Sequence, residues 1–424
     1  MNNKQAQTSY LVPFVTMVVL FFLVGFLTVV NQQFQLPLKS VLLSGAGNLK
    51  NTLTVLITFV WFMAYPLTSG FGARMVDKYG YKGTLVRGLM TLAGGLVIFE
   101  MAVLQHLHAP VYIALGEASI PVAFVIFLTG SYVVGTATAL LQIVINPYLV
   151  ASNVSGTSGI QRQMIGGSGN SIGTTIAPYF VSGIIFGGVS LENITIGQLV
   201  IPFIGLMVIV TIITLIVKKL SLPQIEGTTN ESGEKLEKSI WSFSHLKLGV
   251  IAIFFYVGVE VCIGANINLY AESLGGSFAE AAVTMASLYW GGMLVGRLIA
   301  STFRKISANI QLSVAASIAT ILLIASLLTG NPWVLAAVGF FHSVMWSSIF
   351  TLSIEKLGKY TSKASGTLMI GVLGGALLPL IQGILADAMD GNWTYTWILV
   401  LIGEIYLLYY GLEGYKIKTS QVNN

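Results

Sequence analysis

The sequence predicts an all-α membrane protein whose twelve transmembrane helices form two pseudo-symmetric six-helix bundles. Composition is the first observation, because 55% of the 424 residues are hydrophobic and only 9% are charged, whereas about a quarter of the residues in soluble domains are charged. Apolar runs of roughly twenty residues recur along the chain, long enough to cross a hydrocarbon core of about 30 Å. No water in that core satisfies backbone groups, so these runs must be helices.

Twelve such runs can be placed along the chain, each with boundaries uncertain by a few residues. The predicted spans are 10–32, 51–72, 82–104, 119–149, 161–187, 196–217, 246–272, 281–303, 308–329, 333–356, 364–386 and 392–412. No small-residue cleavage signal follows the first run, so we expect a retained helix rather than a signal peptide. The single cysteine, Cys262, lies inside the seventh run, which excludes a disulfide framework and a cysteine-based metal site.

The distribution of charge predicts the topology. Almost all Lys and Arg residues fall on one side of the twelve-helix map, and the other side shows only Lys39 and Lys50. The basic side holds Lys4, Arg74, Lys78, Lys82, Arg87, Arg162, Lys218, Lys219, Lys235, Lys238, Lys247, Arg304, Lys305, Lys356, Lys359, Lys363, Lys416 and Lys418. Cytoplasmic loops carry such an excess, so we expect a multi-pass protein of the cell inner membrane with both termini in the cytoplasm. The net charge of +5 therefore reflects topology, and no nucleic-acid partner is expected.

A long polar stretch and an internal repeat predict two similar halves. Residues 218–245 look like a cytoplasmic linker between an N-terminal bundle, 1–217, and a C-terminal bundle, 246–424. The fifth span contains IGTTIAP at 172–178, which matches LGGALLP at 373–379 in the eleventh span. Matched repeats are typical of secondary transporters, whose substrate site lies at mid-membrane between the halves. The alternative is that these Gly and Pro residues only permit close helix packing.

Polar residues inside the spans of the N-terminal half are candidate binding groups, because polar groups in a bilayer are costly and usually face a cavity. The candidates are Asn31, Gln32, Gln142, Asn146, Gln163 and Asn170. Side-chain amides offer both donors and acceptors, which suits a neutral ligand with hydroxyl groups. Gln33 and Gln35 belong to the same cluster as Asn31, and a helix end wetted by solvent explains them equally well.

The C-terminal half adds charged and aromatic candidates. Asn268 lies on nearly the same helical face as Glu260, and Trp346 lies one turn from His342. An aromatic face beside amides is a common way to hold a sugar. Alternatives remain for each residue: His342 could be bonded to a backbone carbonyl, Trp346 could face lipid, and Glu260 could be a cation site or an ion-pair partner of Arg297. Glu100 and Glu404 are expected near membrane ends, where solvent would reach them.

Several segments together resemble the fucose permease and glucose/galactose permease group of the major facilitator superfamily, over nearly the whole chain. They are 25–28 (GFLT) with Asn31, 141–142 (LQ), 146–148 (NPY), 170–178 (NSIGTTIAP), 256–261 (YVGVEV), 289–292 (YWGG), 296–297 (GR), and 374–379 (GGALLP) with Gly383, Ala386 and Asp387. The resemblance implies the major facilitator fold and alternating access of two bundles around a central sugar site.

The loop at 76–82 (VDKYGYK) is similar to the superfamily's signature between the second and third helices. The resemblance implies a cytoplasmic gate that includes Asp77, Lys78, Gly80, Lys82 and Arg87, in which acid and basic residues pair in the inward-closed state.

The chain also departs from the fucose permease pattern. Gln32 stands where that branch has the Asp implied to carry a proton, and Gln142 replaces a second acid, as in the glucose/galactose branch. Gly167 replaces a Gln, and His342 and Trp346 interrupt an Asn-Ser-x-Met-Phe-Pro pattern. Because an amide cannot titrate, the N-terminal half lacks the family's usual proton site.

These observations predict a secondary transporter that takes up a hexose or a related sugar, with a small-molecule sugar and the lipid bilayer as its partners. We expect cation coupling, with Na⁺ and H⁺ as candidate ions; the alternatives are a sugar uniporter and a non-transporting sugar sensor on the same fold. An exporter of amphipathic compounds would need an apolar cavity. No catalytic constellation or phosphate loop predicts an enzyme, no cofactor or metal site is expected, and such bundles often work as monomers.

Overall fold

The computed structural model describes residues 11–152, 154–157, 159–222, 238–300, 306–357 and 360–417. Helices account for most of these residues, and ten helical segments among them are long and apolar enough to cross a membrane. The predicted all-α membrane fold is therefore confirmed. Several predicted features lie outside the described residues: most of the linker (223–237), Lys4, Lys235, Arg304, Lys305, Lys359, Lys418 and the side chain of Lys363.

The N-terminal half is helical except for one short hairpin. Its helices are α1 (Leu11–Gln33), α2 (Gln35–Val41), α3 (Lys50–His108), α4 (Val122–Ala151), α5 (Gly159–Tyr179) and α6 (Val200–Lys219). The hairpin pairs β1 (Tyr112–Leu115) with β2 (Ala118–Pro121) in antiparallel register. It occupies the start of the fourth predicted span, which therefore begins at Val122 rather than at residue 119. A π-helical segment, Phe180–Ile185, follows α5.

Helix α3 contains the second and third predicted spans. Its 59 residues would extend about 90 Å if straight, roughly three times the hydrocarbon thickness of a bilayer. Gly80 interrupts the helix with φ 68° and ψ 177°, a conformation that only glycine adopts readily. Trp61 and Phe99, on either side of Gly80, line the same small internal void, so the helix folds back at Gly80. The two arms of α3 thus correspond to the two predicted crossings.

The C-terminal half consists of shorter helical pieces. They are α7 (Ser244–Leu274), α8 (Gly276–Glu280), α9 (Ala282–Ala300), α10 (Ala308–Thr329), α11 (Trp333–His342), α12 (Met345–Ile354), α13 (Thr361–Leu368), α14 (Gly374–Ala388) and α15 (Trp397–Tyr409). The tenth predicted span is broken between α11 and α12. The eleventh is divided into α13 and α14 by a 3₁₀ segment, Met369–Leu373.

The internal repeat encodes the same close packing in both halves. In the N-terminal half, a Cβ atom at Gly173 of α5 would overlap the carbonyl oxygen of Phe22 of α1. In the C-terminal half, a Cβ atom at Gly374 of α14 would overlap the carbonyl oxygen of Phe254 of α7. Small residues let helix backbones approach closely in membranes, so the matched glycines fix equivalent helix pairs. Packing is therefore one function of the repeat; the proposed boundary at 218–245 stays a prediction.

Burial distinguishes central from peripheral helices. In α7, 67% of the most apolar window is buried, whereas in α6 only 22% is buried. The exposed side chains of α6 are apolar and include Ile201 and Val208, as expected of a helix that faces lipid. Helix α7 therefore lies near the centre of the bundle, where its polar residues can reach a site between the halves.

Candidate site at the interface of the two halves

Two polar bridges join the halves at one end of the bundle. Lys39 Nζ of α2 lies 3.0 Å from Glu272 Oε2 of α7. The side-chain amide of Asn268 in α7 donates to Gln33 Oε1 in α1, and Gln33 Nε2 lies 3.5 Å from the Gly264 carbonyl oxygen. This end of the bundle also contains the end of α7 and the start of α3. We call it the opposite face, because it lies opposite the end that carries the exposed Lys and Arg residues. Asn268, predicted to bind substrate, is engaged here in a contact between the halves.

Asp387 of α14 adds a third bridge on the opposite face. Its carboxylate accepts hydrogen bonds from the backbone N–H of Asn51 at 3.0 Å and of Thr52 at 2.6 Å, and from Asn51 Nδ2 at 2.9 Å. These groups belong to the first turn of α3, where free N–H groups and the helix dipole favour negative charge. An acid of the C-terminal half thus caps a helix of the N-terminal half.

The halves also meet at mid-membrane. Arg297 of α9 donates from Nη1 to Ser171 Oγ of α5 at 2.6 Å, and its Nε lies 3.4 Å from the Ser343 carbonyl oxygen. Glu260 is not within ion-pair distance of Arg297, so the predicted direct ion pair between these two described residues is absent, although Arg297 acts on Glu260 electrostatically. A second junction packs Phe62 of α3 beside Gly375 of α14.

The other end of the bundle, which we call the basic face, carries Arg74, Arg87, Lys218, Lys219 and Lys247, all exposed. The hydrogen bonds and ion pairs found between described residues of the two halves lie at the opposite face and at mid-membrane. This distribution favours a cavity between the halves that opens toward the basic face.

The predicted gate loop lies at the turn of α3 on the basic face. Asp77 and Lys78 are exposed, and Lys82 is half-buried beside the Gly80 turn. The Arg87 guanidinium stacks on the Tyr79 ring at 3.5 Å. Asp77 forms no ion pair with any residue that the structure describes, and the role of this loop as a gate stays a prediction.

Two polar clusters of the N-terminal half reach the cavity. Gln142 Nε2 of α4 donates to the Tyr65 hydroxyl of α3 at 2.7 Å, and this hydroxyl lies 3.3 Å from Thr138 Oγ1. Gln163 Nε2 of α5 donates to Asn146 Oδ1 of α4 at 3.1 Å. All of these side chains except Thr138 are half-buried. Polar groups avoid lipid, so their exposure indicates a water-filled cavity.

Asn170 stands apart from these clusters, against α1. Its Nδ2 donates to the Phe21 carbonyl oxygen at 3.0 Å, and its side chain packs where Gly25 leaves room. It remains half-buried and lies next to Ser171, which contacts Arg297. Asn170 therefore has access to the cavity while it fixes the packing of α1 and α5.

The C-terminal half faces the same cavity with Glu260 and Trp346, both half-buried. The Trp346 ring lies 6.2 Å from the ring of Tyr256. The Tyr65 cluster is close by, because Phe62 stacks on Tyr65 at 5.9 Å and meets α14 beside Val257. Amides and a tyrosine from one half thus oppose an acid and aromatic rings from the other.

His342 and Glu404 form a buried pair behind this surface. The His342 Nε2 atom lies 2.6 Å from Glu404 Oε1, and both side chains are 0% exposed. His342 Nδ1 lies 2.8 Å from the Tyr289 hydroxyl. The expectation that Glu404 is solvated near a membrane end is wrong, because Glu404 lies at the middle of the apolar segment Thr394–Gly414 and its side chain is buried against His342 of α11.

Two predicted binding residues do not reach the cavity. Asn31 donates to the Ile57 carbonyl oxygen and accepts from Ser131 Oγ at 2.8 Å. It borders a void of about 10 Å³, which holds at most one water. Gln32 is 1% exposed, and neither atom of its amide has a hydrogen-bond partner among the described residues. Their roles as substrate ligands stay predictions.

Four residues that form contacts at the candidate site were not among the predicted site residues: Tyr65, Tyr256, Tyr289 and Asp387. Tyr65, Tyr256 and Tyr289 carry hydroxyls inside apolar spans, where a tyrosine is not distinguished by composition from the aromatic residues that pack beside it. Asp387 stands at the end of a span, and nothing local indicates that its partner is the start of α3. The usable signal was the placement of Tyr256 and Tyr289 within YVGVEV and YWGG, two of the segments that carry the family resemblance.

Comparisons with known proteins agree with this architecture. A sequence profile of the Major Facilitator Superfamily matches residues 10–379. The glucose/galactose transporter of Brucella abortus is 31% identical over 423 residues, which cover 98% of this chain and 97% of that protein. The putative glucose/galactose transporter of Helicobacter pylori is 31% identical over 425 residues, covering 97% and 98%.

A solved structure shows the same fold. The crystal structure of the E. coli fucose:proton symporter FucP matches with a TM-score of 0.65 at 20% identity, covering 95% of this chain and 98% of that one. The sequence profile covers well over half of the chain, and the relatives are transporters rather than enzymes. The resemblance predicted from the sequence is confirmed: the chain belongs to the Major Facilitator Superfamily.

Proposed function

We propose that this protein is a secondary transporter that takes up a hexose such as glucose or galactose across the cell inner membrane by alternating access. The observation that carries the proposal is the cavity between the halves, where neutral amides face aromatic rings. Its support from related proteins is the 31% identity to named glucose/galactose transporters over nearly the full chain.

The cavity chemistry suits a sugar. The hydroxyl of Tyr65 and the amides of Gln142, Asn146 and Gln163 can donate to and accept from sugar hydroxyls. Trp346 offers an aromatic face for the C–H face of the ring. An amphipathic export substrate would need a largely apolar lining, and these half-buried amides favour a hydrophilic solute instead.

The structure corresponds to an inward-facing state if the basic face is cytoplasmic, as the excess of Lys and Arg indicates. Both termini then lie in the cytoplasm. Reaching the outward-facing state requires breaking the bridges of Lys39 with Glu272 and of Asp387 with the start of α3. The gate loop with Asp77 and Arg87 would form its pairs as the basic face closes.

Coupling to a cation is part of the proposal, and H⁺ is favoured over Na⁺. H⁺ is favoured because the relatives include the L-fucose-proton symporter of Haemophilus influenzae, which is 22% identical over 453 residues. We also propose that the protein acts as a monomer without a nucleic-acid partner. A uniporter and a non-transporting sensor are the alternatives.

Counterflow in proteoliposomes tests the proposal. Vesicles preloaded with unlabelled glucose or galactose should take up the labelled sugar transiently above its equilibrium level, because exchange needs no external energy. Vesicles loaded with mannitol, a polyol without a ring, serve as the control. Sugar binding without flux would support the sensor, and absence of both binding and flux for folded protein would contradict a hexose carrier. Flux indifferent to imposed pH and sodium gradients would support the uniporter.

A further inference from the structure

We propose that the buried pair of Glu404 and His342 is the proton-binding site of this carrier, and that Tyr289 connects the pair to the cavity. The proposal deepens the proposed sugar transport and rests on it for coupling. The three side chains come from α15, α11 and α9, and none of them lines the sugar site.

The pair is isolated from solvent and incompletely bonded. Its two side chains are 0% exposed and lie 2.6 Å apart. Glu404 Oε2 has no hydrogen-bond partner among the described residues. A buried carboxylate without full pairing is costly, and the protein lowers that cost when the group takes up a proton. A bond that served only to hold α11 against α15 would not need a titratable group at each end.

The positions of the hydrogens around Tyr289 and His342 define two protonation states of the pair. The Tyr289 hydroxyl lies 3.1 Å from the Glu260 carbonyl oxygen and 2.8 Å from His342 Nδ1, and it has one hydrogen to donate. If that hydrogen goes to the carbonyl, Nδ1 must carry its own, and a second proton between Nε2 and Glu404 makes the pair neutral. If it goes to Nδ1, the Nε2–H donates to the Glu404 carboxylate, and the pair carries one negative charge.

The two states differ by one proton and by one rotation of the Tyr289 hydroxyl. Titratable and charged groups reach the network from two neighbouring helices: Tyr256, Glu260 and Cys262 of α7, and Arg297 of α9. Helix α10, which packs against both α11 and α15, contains no titratable side chain in Ala308–Thr329. Arg297 can compensate the negative state, and the Tyr289 bond to the Glu260 carbonyl oxygen ties the pair to the turn of α7 that carries the half-buried Glu260 side chain.

The break between α11 and α12 links proton and sugar. Helix α11 ends at His342 and α12 begins at Met345. The His342 carbonyl oxygen lies 3.3 Å from the Tyr256 hydroxyl, and Trp346, beside Tyr256, lines the cavity one turn further. A sugar that stacks on Trp346 therefore acts on the segment that positions His342. By reciprocity, protonation of the pair must change sugar affinity by the same factor.

Infrared titration of the purified protein tests the site without any sugar. In the wild type, the C=O band of a buried carboxylic acid should disappear as pH rises. In Glu404→Gln that titrating band should be absent. Tyr410→Phe is the matched control, because it removes another buried hydrogen bond of the C-terminal half, between Tyr410 and Ser353 at 2.8 Å, and should keep the band. If Glu404→Gln does not fold, His342→Gln retains the acid and should shift the midpoint of the band.

Transport completes the test. In proteoliposomes with an inward proton gradient, Glu404→Gln should lose accumulation of labelled glucose by about tenfold or more and keep counterflow near the Tyr410→Phe level. A titrating band that survives in Glu404→Gln, or accumulation equal to wild type, would overturn the proposal, as would accumulation driven by sodium alone. Wild type that shows the band but no counterflow with any hexose would instead refute sugar transport and leave the proton site standing.

Discussion

The two halves share a fold but divide the chemistry. The N-terminal half contributes neutral amides and a tyrosine to the candidate site, whereas Glu260, Arg297, His342 and Glu404 all belong to the C-terminal half. The bridges at the opposite face repeat the pattern, since Glu272 and Asp387 of the C-terminal half meet donors of the N-terminal half. We propose that the N-terminal amides recognise the solute together with Trp346, and that the charged groups of the C-terminal half respond to it.

Of the substitutions considered, replacing Asp387 should have the largest effect, because it lowers the population in which the halves are closed at the opposite face. Asp387→Asn removes the charge that caps α3 and weakens three hydrogen bonds, each worth about 1.5–3 kcal/mol when one partner is charged. We expect the population closed at the opposite face to fall by roughly tenfold or more. Spin labels at Ser44→Cys and Ser277→Cys report the distance between the halves by electron paramagnetic resonance, and the single native cysteine, Cys262, is buried.

Asp390→Asn is the matched control, because Asp390 is an exposed acid just after α14 and is absent from the bridge. It should leave the distance distribution unchanged. A wild-type distribution in Asp387→Asn would show that the cap does not hold the opposite face closed.

If the N-terminal amides only recognise the sugar, replacing one of them should change sugar affinity and leave the pH dependence of binding unchanged. Gln142→Leu keeps the side-chain volume but removes the donor to Tyr65 and to sugar hydroxyls. We expect the glucose Kd to rise by about fivefold, the equivalent of one net hydrogen bond, with the pH dependence of binding unchanged. Isothermal titration at several pH values measures both quantities.

Gln105→Leu, an amide near the end of α3 that bonds to Ala109, is the control and should leave Kd unaltered. If Gln142→Leu flattens the pH dependence of binding, the N-terminal half takes part in proton coupling and the comparison fails.

The smallest effect is expected at Trp346. Trp346→Phe keeps an aromatic face but reduces its area, so Kd should rise by about threefold. Tyr409→Phe, on the exposed side of α15, is the aromatic control. Isothermal titration with glucose measures the change; a Kd identical to wild type would place the sugar away from α12.

Much of the fold was predictable because the bilayer restricts it. Hydrophobic length identified the crossings, and the glycine repeat identified α5 and α14 as equivalent helices, although their partners α1 and α7 became evident only in the structure. The reversal at Gly80 and the hairpin at 112–121 depend on local backbone geometry, which hydropathy does not report. The break after His342 likewise leaves the apolar pattern of the tenth span intact.

The sequence indicated which polar and aromatic residues were candidates for the site, but it did not indicate which residues each of them contacts. Gln142, Asn146, Gln163, Glu260 and Trp346 are all partly exposed inside predicted spans, and their roles as ligands stay predictions. Sequence spacing gives the face of a helix but not the helix opposite, so Asn268 and His342 turned out to bind partners in other helices rather than open space. Glu404 was misplaced because the sequence does not show that His342, in another helix, lies opposite it and encloses it.

The most direct test is the pH dependence of glucose binding by the wild-type protein. If the C-terminal pair binds the coupling proton, glucose affinity should rise as pH falls through the titration of the pair, with a slope that approaches one proton per sugar. Gln142→Leu should keep that slope at lower affinity, and Glu404→Gln should abolish it. Glucose affinity independent of pH in the wild type would contradict the division of roles between the two halves.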